Sequence, residues 1–167
     1  MNALYIGRFQ PFHYGHLQVL KHVAKTYDEI IIGIGSSQYH DSSENPFSAE
    51  ERKTMVEQSL DAEGIKNFRV VLIPDIHNPP MWVDHVLSIV SDFDVVLSNN
   101  DFTKELFSEK GYRVEKTPVF KRTHYSGAEI RRRMNQGENW ESLVPQPVVK
   151  IITNIDGVQR VKKAMQN

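Results

Sequence analysis

The 167-residue chain contains no cysteine. Disulfides, thiolate zinc sites and cysteine nucleophiles are thereby excluded, and a reducing interior such as the cytoplasm is the expected setting. Charge of one sign is lacking too: Lys and Arg number 20 against 21 acids, a formal net charge of −1. No global field draws such a chain to nucleic acid or an anionic membrane, so any anion site must be a local concentration of positive groups. No stretch approaches the roughly 18 apolar residues of a membrane span. The N-terminus, Met1 to Gly7, lacks the basic segment and long apolar run of a signal peptide. The Walker pattern Gly-x4-Gly-Lys-Ser/Thr is missing, as is His-Glu-x-x-His, and Gln38 stands where Gly33-x-Gly35 would need a third glycine for a dinucleotide fingerprint.

What is present is an ordinary globular composition, 40% hydrophobic and 25% charged, arranged in alternating periods. Short β-branched runs predict strands at Ala3–Ile6, Glu29–Ile34, Phe68–Ile73, Val95–Leu97 and, shortest, Tyr112–Val114. Between them, Leu17, Val19, Leu20, Val23 and Ala24 recur at helical spacing. Ser48 with Glu51 forms a capping box for a helix ending at Gly64, Pro80–Val90 reads as helical, and Asp101 caps a helix closed by Gly111. Ser126 with Glu129 makes a second capping box, Gly137 is a C′ stop, and the tail from Pro147 carries one or two helices around Gly157. Strand and helix in alternation predict an α/β fold with a doubly wound parallel sheet, in one domain spanning 1–167. Ligands of such sheets bind beyond the carboxyl ends of the strands, at a topological switch point.

The unusual residues lie there. After the first strand the chain reads Gly7-Arg8-Phe9-Gln10-Pro11-Phe12-His13-Tyr14-Gly15-His16. A helix N-terminus offers free N–H groups and the positive end of a dipole, and Gly15 has no Cβ to hold a phosphate off the backbone. His13 and His16, three apart, share one side of the first helical turn and can donate N–H groups to phosphate oxygens. Either histidine alone would read as a surface or capping residue; together, after a buried strand, they read as a site. A second concentration of charge is Lys116, Lys121, Arg122, Arg131, Arg132 and Arg133, with Glu129 the only acid between Lys116 and Arg133. Such a run by itself reads as a solvated helix face, and three successive arginines cannot all face one way; one can face a site while the others meet solvent or a partner.

Gly7 to His16 resembles the signature of the nucleotidylyltransferases, and within them the archaeal-type nicotinamide-nucleotide adenylyltransferases. The resemblance continues through Gly35-Ser36, Asn45-Pro46-Phe47-Ser48-x-x-Glu51-Arg52, Trp82-Val83-x-His85 and Tyr125-Ser126-Gly127-x-Glu129-Ile130-Arg131-Arg132-Arg133. It implies a Rossmann-like fold with a helical C-terminal tail from about residue 145, a homo-oligomer, and transfer of AMP from ATP, with Mg²⁺, to nicotinamide mononucleotide (NMN). The resemblance also implies roles. His13, His16 and Arg131 would be catalytic, and Gly7, Arg8, Phe9, Gly15, Ser98, Asn99, Tyr125 and Ser126 would join them around ATP. Gly35, Ser36, Arg52, Asp75, Asn78 and Trp82 would hold NMN, Arg52 at its phosphate and Trp82 stacked on its cationic ring. By itself a tryptophan on a short helix reads as core, and Arg52 as a surface residue. The acceptor phosphate is already ionised at neutral pH, so the chemistry needs alignment and charge stabilisation rather than a general base, and no residue is assigned to hold a metal.

Two other readings remain open at this level. A sister transferase acting on another phosphomonoester, such as phosphopantetheine, would share His13, His16 and Arg131 but not need Trp82, and nicotinate mononucleotide is a close alternative acceptor. A non-catalytic nucleotide sensor would keep the fold after losing a phosphate ligand, and none is missing. The apolar positions Val148, Ile151, Ile152, Ile155, Val158 and Val161 fit either a core or a subunit interface.

Overall fold

Three consecutive isoleucines with no polar alternation need cover on both faces, which only an interior parallel strand provides. The computed structural model, which describes residues 1–120 and 124–166, gives them that place. Five parallel strands, β1 (Asn2–Gly7), β2 (Glu29–Ile34), β3 (Phe68–Leu72), β4 (Val95–Leu97) and β5 (Arg113–Glu115), lie in the order β3-β2-β1-β4-β5. Leu4 of β1 pairs with Ile31 of β2 on one side and Val96 of β4 on the other. The order reverses at β1, so the switch point falls between β1 and β4.

Helices cover both faces. Helices α1 (Tyr14–Val23), α2 (Ala49–Ala62), α5 (Gly127–Gln136), α6 (Gln146–Asn154) and α7 (Gly157–Met165) bury Leu17, Met55, Ile130, Ile152 and Val161 with Ala3, Ile30 and Ile32 of the sheet. On the other face α3 (Trp82–Ile89) and α4 (Asp101–Glu109) bury Val83, Val86 and Phe107 with Leu4, Ile31 and Val96. Val148, Ile152 and Val161 are fully buried, and Ile151, Ile155 and Val158 pack against them, so the apolar tail positions are spent in the core. No helix among the described residues is long and apolar enough to cross a membrane.

Several local expectations need correction. Asn100, not Asp101, caps α4: its side chain accepts from the Thr103 N–H at 2.9 Å, while Asp101 becomes the first helical residue, where its charge favours the dipole. The Ser126 box forms by half. Ser126 Oγ accepts from Glu129 N at 3.1 Å, but the Glu129 carboxylate turns to Arg132 and Arg133 at 2.8–3.0 Å, charge-assisted bonds that outcompete a backbone N–H. The span from Pro80 opens as a 3₁₀ turn, Pro79–Met81, before α3 begins, and the last strand sits one residue later than its β-branched run. Lys121 and Arg122 lie outside the described residues.

Candidate active site

The site begins with how α1 starts. His13 is its N-cap, and its Nδ1 accepts from the His16 N–H at 3.4 Å while His16 Nδ1 accepts from the His13 N–H at 3.2 Å. This is a capping box built from two imidazoles instead of a hydroxyl and a carboxylate. The rings stack with centroids 3.6 Å apart, and Phe9 and Phe12 wall in His16 at 4.7 and 5.5 Å. Burial lowers the His13 pKa to about 4, and burial together with neighbouring His13 holds His16 well below its ordinary value. Both rings are thus neutral at pH 7. With each Nδ1 accepting, each proton sits on Nε2, leaving two N–H donors for the cleft that both rings line.

That cleft, 370 Å³, spans the switch point. His13, Gly15 and His16 form one wall, Ser98, Asn99 and Asn100 after β4 another, and Tyr125, Ser126 and Gly127 at the start of α5 a third. Asn99 makes its wall by a two-sided amide clamp, donating to Thr117 O and Oγ1 at 3.0 Å and accepting from Thr117 N at 2.8 Å. Gly15 is needed for closeness: a Cβ there would meet His13 Cε1 at 2.9 Å and Tyr125 Cβ at 3.1 Å. Gly7 and Phe9 lie behind the lining, Phe9 fully buried under His16 with a left-handed φ of 54°.

Of the three successive arginines, Arg132 pairs outward with Glu129 and Glu138, and Arg133 with Glu129 and the Asn139 carbonyl. Arg131 alone is buried, 8% exposed, and donates through Nη1 to Gln10 O at 2.7 Å. Burial lowers its pKa, Arg8 adds to the fall, and Glu44 opposes it. Arg8, half-exposed in the turn after β1, has Glu44 4.0 Å away. Arg8 and Arg131 thus lie at the turn after β1, beside the cleft rather than in its lining.

Arg52 is not the surface residue that its helix position alone suggests. It is 0% exposed, and its five N–H donors go to five backbone carbonyls: Ser48, Arg8, Gly35, Ser36 and Tyr39, at 2.8–3.4 Å. Reaching an acceptor phosphate would require releasing one of them. Its work in this structure is to tie the turns after β1 and β2 together.

A second cavity, 360 Å³, opens between the turn after β3 and α4. Asp75, Asn78 and Trp82 line it together, and Ser36 Oγ donates to Asp75 Oδ2 at 2.7 Å from the neighbouring turn. His85 holds the β3 turn by its Nε2, 2.8 Å from Pro74 O. Phe102, Thr103 and Leu106 of α4 form the far wall. Sequence reading missed them; the available signal was Phe102 itself, a large apolar side chain in a helix's polar first turn, 54% exposed. Among the described residues no group of three histidines or carboxylates converges on a metal position.

A family model described as cytidylyltransferase-like matches residues 4–133. The chain belongs to that family. A relative from Methanolobus tindarius, named nicotinamide-nucleotide adenylyltransferase, is 47% identical over 165 residues, covering 99% of this chain and 95% of its own. One from Methanosarcina mazei with the same name is 48% identical over 160 residues, covering 96% and 92%. Among solved structures, a bifunctional NMN adenylyltransferase/ADP ribose pyrophosphatase from Francisella tularensis, complexed with AMP and a manganese ion, superposes with a TM-score of 0.81. It shares 22% identity over 97% of this chain, which spans only 52% of that longer protein, so the likeness is one of fold.

Proposed function

We propose that the chain transfers AMP from ATP to nicotinamide mononucleotide, giving NAD and pyrophosphate. The observation that carries this reading is the imidazole capping box: it leaves two neutral Nε2–H donors in a cleft beside the N-terminus of α1. N–H donors held in place before the substrate arrives suit phosphate oxygens, because no reorganisation is needed as charge shifts toward the leaving pyrophosphate. ATP occupies the switch-point cleft, its adenosine against Ser98, Asn99 and Tyr125. Its α-phosphate lies on His13 and His16 across Gly15, and its outer phosphates on Arg131, Arg8 and the N–H groups following Ser126. NMN places its ring in the second cavity against Trp82 and Phe102, with Asp75 and Asn78 at the carboxamide.

An oxygen of the acceptor's 5′-phosphate attacks the α-phosphorus in line. The new O–P bond forms as the bond to the bridging α,β-oxygen breaks, and pyrophosphate leaves with that electron pair. No covalent enzyme intermediate is needed. The side chains of the cleft fit phosphate oxygens rather than a cation, so Mg²⁺ enters on the phosphates of its Mg·ATP substrate. A homo-oligomer belongs to the same reading, on the strength of the resemblance, and light scattering measures its size; a cytoplasmic setting goes with the lack of cysteine.

The test is direct. Purified protein with ATP and Mg²⁺ is given NMN, nicotinate mononucleotide or phosphopantetheine in parallel, and the products are separated chromatographically. NAD and pyrophosphate in equal amounts, with NMN the best acceptor, is the expected result. Preference for phosphopantetheine would move the chain to a sister transferase, and ATP binding without any product would make it a sensor.

A further inference from the structure

The loop after β2 runs from Gly35 to Phe47 without regular structure, long enough that something must hold it. Arg52 holds its first part through the carbonyls of Gly35, Ser36 and Tyr39. Its second part is a small closed loop. Asp41 N donates to Pro46 O at 3.3 Å across the neck, and Ser42 N to Asn45 O at 3.3 Å within it. Glu44, near the tip, extends to Arg8 in the phosphate turn.

The neck is held from elsewhere in the chain. Arg160, on the C-terminal helix α7, places Nη1 3.3 Å from Pro46 O and Nε 3.6 Å from Asp41 Oδ1, one contact on each side of the neck. The same guanidinium forms a two-pronged pair with Glu51, at 2.5 and 3.0 Å. Glu51 in turn accepts from Ser48 N at 2.8 Å, closing the capping box that starts α2, one residue before Arg52. Burial raises the Glu51 carboxyl's pKa, and the bonds from Arg160 and Ser48 outweigh it, keeping the group below its ordinary value and ionised. A single side chain of α7 thus fixes the neck of the loop and the start of α2 at once.

We infer that Arg160 is a positioning residue for the acceptor side of the reaction: the C-terminal helix sets, through it, the loop that runs beside the mononucleotide. The inference rests on the adenylyl-transfer reading above. The side of the site is set by what the loop adjoins. It leads out of Gly35 and Ser36, and Ser36 and Gln38 bond to Asp75 in the wall of the second cavity; no residue from 35 to 47 lines either cavity, and on the phosphate side the loop meets Gln10 through Phe47 and approaches Arg8 through the exposed Glu44.

The wild-type assay comes first, since absence of NAD there would sink the adenylyl-transfer reading itself. Given wild-type activity, Arg160→Gln should raise the acceptor KM about tenfold while the ATP KM stays within about twofold, because Asp75 lies on the acceptor side and the exposed 4.0 Å approach of Glu44 to Arg8 adds little to ATP binding. Glu51→Gln should act in the same direction, and the double variant should be no worse than Arg160→Gln, as expected of two halves of one contact. Arg160→Lys keeps the charge, but one ammonium cannot reach both Glu51 and Pro46, so it should fall between. If Arg160→Gln does not fold, Arg160→Lys carries the kinetic test alone. Hydrogen exchange at the Asp41 and Ser42 amides should quicken in step with the acceptor KM. An unchanged acceptor KM, or equal rises for both substrates with a lowered Tm, would overturn the inference and leave Arg160 a general structural tie.

Discussion

His16 does two jobs with two nitrogens, and they can be separated. Nδ1 closes the capping box, and Nε2 is the nitrogen left to donate in the cleft that the ring lines. His16→Ala removes both, so turnover should fall by about 10²–10³, the loss typical of one transition-state donor, and stability by about 1 kcal/mol, the usual value of a cap. Glutamine is the common reciprocal partner in a capping box, and its amide spans about the distance between the two ring nitrogens. His16→Gln should recover the stability and part of the rate. Full turnover in the alanine variant, from steady-state kinetics with matched circular dichroism, would remove His16 from the phosphate site. Arg52 makes the opposite case, a cation with no free donor. Lysine's three N–H groups cannot serve its five carbonyls, so Arg52→Lys should cost about 2–3 kcal/mol in urea unfolding through the buried carbonyls left unpaired. A variant as stable as the parent would show that the carbonyls find water instead.

Helix α5 brings its first turn and its first buried arginine to the same point, and Gly127 is what lets them meet. A Cβ on Gly127 would lie 2.7 Å from Arg131 Nη1 and 3.1 Å from Gln10 O, so Gly127→Ala must push the guanidinium off the Gln10 carbonyl. The expected result is a loss of kcat of about tenfold or more with little change in Tm, because alanine is otherwise the better helix residue. On α4, Phe102→Ala should leave the fold untouched and raise the acceptor KM by about five- to tenfold, the share of one apolar ring face. An unchanged KM in a titration with NMN would remove that wall from the site.

These elements also mark how far the sequence could be read. Strand positions and the order of layers were legible because periodicity and β-branched runs report burial directly, as in Glu29–Ile34. The histidine pair was legible because spacing on a first turn fixes direction. Competition was not legible: Glu129 choosing two arginines over Ser126 depends on side chains that only the folded helix ranks. Nor was distance along the chain. Arg160 reaching Glu51, and Phe102 facing the cavity wall that holds Trp82, are contacts between elements whose approach is set by the whole sheet.

At the scale of the molecule, burying two neutral imidazoles makes stability depend on pH in a window of its own. Folding lowers the His13 pKa from 6.5 to about 4. Between those limits the unfolded chain binds a proton that the native one does not, so stability rises with pH there and is lost on acidification. For His13 the full difference is on the order of 3 kcal/mol, and His16, depressed further, extends the loss to lower pH. Carboxylates held down by arginines, such as Glu51 and Glu129, work in the same direction but only where their unfolded counterparts begin to protonate, near 4.5. The interval from pH 6.5 to 5.5 therefore belongs to the histidines. Tm should fall steadily across it, and fall less in His13→Asn, which keeps a favoured N-cap without the titrating ring. An equal slope in the variant would take His13 out of the effect, and a Tm that is flat over that interval would mean the rings reach water and protonate in place. The donors offered to ATP would then be imidazolium, and binding rather than folding would carry the pH dependence.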